Sequence, residues 1–288
     1  MIFRLRSRPM AGLVALLATA LVATGCGDDD SSSSPSSSDL GTITEGKLQV
    51  GSDIPYAPFE FGREPDYQGF DVDVVNEVAK RLDVEAEFIK TPFDPIFRNL
   101  AQGRFDIVAS AATITPEREK TVAFSVPYFP ADQSLMVKRG SDIKSVGDLA
   151  GKRIGAQVGT TGADYAKDEI KGAETVRTYD LIDDAFKALQ TGQVDAVIND
   201  FPVSKYAERS KKDLQVVERI ATGEEYGLGI NKEDTKLKEE IDKALNEIKD
   251  DGTYTTIYRK WFEEDPPDSI LQTGSENASG SSSGGGAY

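Results

Sequence analysis

The sequence predicts an α/β fold built from layered strands and helices. Three observations carry this. From about Lys47 to Asp265, short apolar runs of strand-like pattern alternate with stretches whose apolar residues recur at helical spacing. The strand-like run Phe105 to Ala109 passes through small residues (Ser110, Ala111, Ala112) into a helix start at Pro116. Outside these limits, Gly27 to Ser38 and Pro266 to Tyr288 hold little to bury and read as a flexible tether and a disordered tail.

The elements follow in order. Leu48-Gln49-Val50 alternates as a strand and enters Gly51-Ser52-Asp53. Val75, Val78, Ala79 and Leu82 share one helix face, and a strand follows over Ala86 to Ile89. Ile96, Phe97 and Leu100 mark a helix that Gly103 ends. After the Phe105 strand, Leu135-Met136-Val137 and Arg153 to Ala156 read as strands, and Thr161 to Ile170 as a helix. Ile182, Ala185, Phe186 and Leu189 form a further helix face, with Asp180 as its cap and Gly192 as its stop. Val194 to Ile198 is a strand ending in Asn199-Asp200. Leu237, Ile241, Leu245 and Ile248 give a helix stopped near Gly252, and Ile257, Tyr258 and Trp261 a last short one. No internal repeat is visible.

The 288 residues suffice for two domains, and 39% hydrophobic residues suffice for a core. Residues 1–25 read as a secretory signal, with Arg4, Arg6 and Arg8 preceding a short apolar run from Met10 to Thr24. Cys26 is the one cysteine, so no intramolecular disulfide can form. It follows Ala23-Thr24-Gly25 directly, which resembles the bacterial lipoprotein signal, in which that cysteine becomes the lipidated first residue. The net charge is −16, and loss of residues 1–25 removes three basic residues and no acidic one. Such a surface disfavours nucleic acid and mildly attracts cations, although its main effect is on solubility. With no histidine, His-based triads and His metal sites are excluded. No Walker or dinucleotide glycine pattern is present, and Cys26 lies outside the folded body.

Two places carry candidate chemistry. In Thr113 to Arg118, a hydroxyl and a planar guanidinium fork follow small residues that let a ligand approach the backbone. Asp200 ends a later strand, where it can hold a cation or cap the helix that begins near Pro202. If the two strands face each other, a zwitterion such as an amino acid fits between the charges. Gly159-Thr160-Thr161-Gly162 precedes a helix and reads either as an anion site or as a plain turn and cap.

Four blocks resemble the polar amino-acid-binding family of bacterial extracellular solute-binding lipoproteins (family 3 type), which serve ABC importers. They are Gly51 to Phe61, Gly69-Phe70-Asp71-Val72-Asp73, Thr113 to Arg118, and Asp251-Gly252-Thr253-Tyr254 leading to Trp261-Phe262. The resemblance spans about Lys47 to Asp265. It implies a two-lobed periplasmic-binding-protein-like fold with a discontinuous lobe 1 (47–129 and 227–265), lobe 2 (130–226), and two crossover hinge strands near Phe129 to Asp132 and Gly223 to Tyr226. Residues 1–25 would be the signal, 26–46 a lipid-anchored tether and 266–288 the tail.

The resemblance also implies roles. Arg118 grips a ligand carboxylate, helped by the Thr113 N–H and by Thr161 from lobe 2. The ammonium meets Asp200, the Ala111 carbonyl and the Thr113 hydroxyl. Asp53, Tyr56 and Phe93 match the side-chain pocket, although core packing is the commoner fate of such aromatics. Gln157 and Asn199 match positions that vary with ligand. An acidic ligand would meet Asp53 with no added cation, so arginine, lysine or histidine fits best and glutamine next. The expected function is extracytoplasmic binding by cleft closure and delivery to a membrane permease. The chain is expected to act as a monomer, with neither cofactor nor metal and without catalysis. A secreted dehydratase-like enzyme and a tethered sensor are the alternatives on this fold.

Overall fold

The computed structural model describes residues 40–271. The expected signal, Cys26 and most of the expected tether and tail lie outside the described residues.

The chain opens with β1 (Lys47–Ser52), the hairpin β2 (Phe61–Arg63) and β3 (Asp66–Gln68), then α1 (Phe70–Arg81) and β4 (Glu85–Lys90). α2 (Ile96–Ala101), β5 (Ile107–Val108), α3 (Pro116–Glu119) and β6 (Ala123–Phe124) follow. β7 (Phe129–Lys138) then leads to β8 (Arg153–Gln157), α4 (Thr161–Asp168), β9 (Thr175–Tyr179), α5 (Ile182–Thr191), β10 (Ala196–Asp200) and α6 (Phe201–Ser210). β11 (Leu214–Tyr226) leads back to β12 (Gly229–Ile230), α7 (Thr235–Asp250), α8 (Thr253–Phe262) and α9 (Asp268–Leu271).

Two five-stranded sheets define two lobes. The first has the order β4-β1-β5-β12-β6 and the second β11-β7-β10-β8-β9. β12 pairs antiparallel with both β5 and β6, so the chain re-enters the first sheet after completing the second. β7 and β11 are the crossing strands. They pair antiparallel, with Tyr226 opposite Phe129 and Glu224 opposite Ala131, and the register shifts between Ile220 and Glu224. Where they meet the first lobe, aromatic rings pack together. Phe129 stacks on Tyr226 at 5.5 Å, and Phe59 meets both edge-on at 5.0 and 5.3 Å. Such contacts add to the burial of the rings themselves.

Local chemistry sets the elements. α1 starts at Gly69, whose φ is 144°, and a Cβ there would lie 1.9 Å from the Phe59 carbonyl oxygen. Asp71 and Asp73 lie in its first turn and Lys80 and Arg81 in its last, matching the helix dipole. α5 buries Ile182, Ala185, Phe186 and Leu189 and ends at left-handed Gly192. Its N-cap is Leu181, without a side-chain capping bond, and not Asp180.

Other differences from the sequence reading matter more for the site. The Phe105 to Ala109 strand is regular only over Ile107–Val108, and the chain leaves it early for the small-residue turn. β10 starts later than expected, at Ala196, and ends at Asp200 as expected, with Asn199 and Asp200 paired to Ser134 and Gln133 of β7. The folded body also begins before Lys47 and continues past Asp265. Leu40 and Ile270 are buried in the main core, and the Ile43 N–H donates to Asp106 Oδ1 at 2.7 Å.

Candidate functional site

Asp53, Tyr56, Phe93, Ser110, Ala111, Thr113, Arg118, Gln157, Thr160, Thr161 and Asp200 line one narrow gap between the lobes. Of the ten residues expected to bind the ligand, Asn199 alone does not line it. Its Oδ1 instead lies 3.0 Å from the Tyr56 hydroxyl, behind the wall.

The first lobe builds its wall from within. Ser110 Oγ accepts from the Asp53 N–H at 3.0 Å and donates to Glu60 Oε1 at 2.8 Å. The Ala111 N–H donates to Asp71 Oδ2 at 2.8 Å, and the Tyr128 hydroxyl donates to the same oxygen at 2.8 Å. This anchor holds Ala111 at φ 44°, a left-handed conformation that a non-glycine residue adopts only at a cost. The wall therefore keeps a fixed shape at a turn whose small side chains leave the backbone accessible.

Arg118 is half-buried and aimed by three contacts. Its Nη1 donates to the Thr113 carbonyl at 2.7 Å, and its guanidinium carbon lies 5.2 Å from the Phe93 ring and 4.8 Å from the Phe97 ring. Nη2 donates across the gap to the Gly159 carbonyl at 3.2 Å. Gly159 has φ 75°, and a Cβ there would come within 3.1 Å of Asp94, so a glycine is what lets the lobes approach this closely. Burial lowers the Arg118 pKa, and Asp200 and Glu224 oppose that shift.

The second lobe's polar groups reach outward. Gln157 Nε2 donates to Asp53 Oδ2 at 2.5 Å and to the Asp180 carbonyl at 2.9 Å. Asp200 is the N-cap residue of α6, yet it makes no side-chain capping bond. Its carboxylate instead accepts from Tyr56 at 2.7 Å, Tyr226 at 2.5 Å and Gln133 at 2.6 Å. Thr160, not Thr161, caps α4 by accepting from the Ala163 N–H.

The gap is electronegative. Burial pushes Asp53 up to about 6, and the Gln157 hydrogen bond opposes that shift. Burial and then the nearby Glu224 push Asp200 up to about 6, against its three hydrogen bonds. Behind the wall, burial and then Asp71 raise Glu60 well above the usual carboxylate range, and its Oε2 is buried without a partner. Among the described residues, no group of three or more acidic, Cys or His side chains is arranged to hold a metal.

Sequence reasoning missed Glu60, Asp71, Ser110 and Phe97, and also Gln133 and Glu224. The first two lie inside the quoted blocks, and an acid flanked by apolar residues was the available signal. Gln133 and Glu224 reach the site only because β7 and β11 cross beside it. No local pattern announces such a pairing.

Comparison with known proteins agrees with this architecture. The description of the bacterial extracellular solute-binding proteins, family 3, matches residues 48–264. The chain is 32% identical over 229 residues to the ABC transporter arginine-binding protein 1 of Escherichia coli (strain K12), covering 77% of this chain and 93% of that protein. It is 36% identical over 203 residues to the ABC transporter glutamine-binding protein GlnH of Bacillus subtilis (strain 168), covering 69% and 74%. The solved structure of an ancestral arginine-binding protein bound to glutamine superposes with a TM-score of 0.73 at 40% identity, covering 77% of this chain and all of that one. The chain belongs to the bacterial extracellular solute-binding proteins of family 3.

Proposed function

We propose that this protein binds a basic amino acid outside the cytoplasm and delivers it to the permease of an ABC importer. One observation carries the reading: a guanidinium from the first lobe and a carboxylate from the second line the same gap, with a further carboxylate, Asp53, at the side-chain end. Arg118 takes the ligand carboxylate and Asp200 its ammonium. A guanidinium or ammonium side chain reaches Asp53, flanked by Tyr56 and Phe93. Only the closed arrangement meets all three charges, so the ligand shifts the lobes toward closure by its differential affinity for that state. The similarity to an arginine-binding transport protein supports the same class.

Glutamine is the second reading, and a specific contact favours it. The amide of Gln157 already satisfies Asp53 at 2.5 Å, so a neutral amide is an acceptable partner there. The relative that binds glutamine fits as well. Anchoring through a lipidated Cys26 and action as a monomer complete the proposal. Incorporation of a labelled fatty acid that is lost in Cys26→Ala checks the anchor.

A thermal-shift screen of the purified protein against the twenty amino acids and common polyamines tests the function. A ligand at about 100 times its Kd adds about 2.7 kcal/mol of stability. The reading predicts the largest rise with arginine, lysine or histidine. No response to any free amino acid refutes it.

A further inference from the structure

Glu224 lies on β11 where that strand crosses between the lobes, and the roles above give it no task. Its carboxylate is nevertheless held from both lobes. Thr113 Oγ1 of the first lobe donates to its Oε2 at 2.9 Å, and Thr161 Oγ1 of the second donates to the same oxygen at 2.7 Å. Gln133 Nε2 on β7 lies 3.1 Å from Oε1 and also donates to Asp200 Oδ1 at 2.6 Å. A carboxylate has no proton to give, so the single hydroxyl hydrogen of each threonine points at Glu224. Thr161 Oγ1 also lies 3.3 Å from Gln133 Nε2, so its remaining lone pair and those of Thr113 Oγ1 are what is left for the gap that the two threonines line.

We propose that Glu224 sets the polarity of this clasp, turning the Thr113 and Thr161 hydroxyls into acceptors for a ligand ammonium and leaving the ligand carboxylate to Arg118. The inference rests on the amino-acid reading above and deepens it. The Thr161 hydroxyl cannot donate to the ligand carboxylate in this arrangement, and only its backbone N–H remains for that task.

Gln133 gives the device its direction. Carboxylates on two sides hold its N–H₂ group, even though its Oε1 is left buried without a partner. A glutamine at position 224 must turn its own oxygen toward that N–H₂. Its amide hydrogens then face the two hydroxyls, which accept from residue 224 and donate toward the ligand. The clasp reverses with almost no change in shape.

Calorimetric titration of the full chain and its Glu224→Gln variant tests this with two pairs of probes. L-Arginine is compared with 5-guanidinopentanoate, and L-glutamine with 4-carbamoylbutanoate; each acid lacks only the α-ammonium. For the amino acid that the wild type binds, Glu224→Gln should lose about tenfold in affinity, while the matching acid changes by less than about threefold. A second comparison stands apart from the weak acids. Thr161→Val should cost about tenfold in the wild type and little in the Glu224→Gln background. Equal losses for both probes, together with equal costs of Thr161→Val in both backgrounds, overturn the proposal and leave Glu224 as a simple tie between lobes. Tighter binding of both probes also overturns it, because Glu224 would then compete with the ligand's own carboxylate. A wild type that binds neither amino acid removes the amino-acid reading, and this one with it.

Discussion

The two walls of the cleft are built on different plans. In the first lobe, Ser110 bonds to Glu60, Ala111 to Asp71 and Arg118 to the Thr113 carbonyl, all within the lobe, while Arg118 also reaches the Gly159 carbonyl of the second. In the second lobe, Gln157 reaches across to Asp53, and Asp200 accepts from Tyr56. On the proposed closure, the first half-site is largely preset, while the contacts of Gln157 and Asp200 with the first lobe form only when the lobes meet. A ligand would dock on the first wall and be retained by the second. Preorganised groups bind with less ordering cost, and groups brought in by closure act mainly on dissociation.

The largest effect should come from the preset wall. Arg118→Ala is expected to cost about 2–5 kcal/mol of amino-acid binding in calorimetry, because a desolvated carboxylate loses its partner. Unchanged affinity would break the comparison at its strongest point. Asp53→Ala should be smaller and selective, weakening arginine or lysine far more than glutamine. A uniform loss would show that Asp53 only shapes the wall.

Acidity should move stability and binding in opposite directions. Asp53, Asp71 and Asp200 are all raised to about 6 in the fold, against roughly 3.9 in an unfolded chain. Between these values the folded state holds more protons, so this contribution is fully present below about pH 4 and is lost as the pH rises through about 6. The ligand-free melting temperature should thus gain from these groups as the pH falls from 7 to 5. Affinity for a cationic amino acid should fall over the same range, because Asp53 and Asp200 become neutral. Parallel trends in the two measurements would contradict the assignment of these acids to the ligand.

The smallest effect concerns the wall completed by closure. Tyr56→Phe removes a bond between lobes worth about 1 kcal/mol. Stopped-flow measurement should show faster release with little change in association. A slower association instead would give the Tyr56 hydroxyl, and not only its ring, a part in docking.

The contrast between the walls also explains what the sequence could reveal. The first wall is largely local: strand, small-residue turn and Arg118 fall within a dozen residues, so its chemistry was legible before the fold was known. Phe97 was read only as helix core, yet it also braces the guanidinium. Asp200 was ambiguous between cap and ligand group. The hydrogen bonds from Tyr56, Tyr226 and Gln133 hold its side chain at the gap, where it makes no capping bond to α6. The return of β12 to the first sheet came only through family resemblance. Glu224 was invisible because its partners are separated from it by 63 to 111 residues.

A crystal structure with the amino acid that most raises the melting temperature tests the central claim most directly. The account predicts the ligand carboxylate within hydrogen-bonding distance of the Arg118 fork and the α-ammonium against Asp200, under closed lobes. A ligand bound in the reverse sense, or one that leaves both of these side chains untouched, would contradict it.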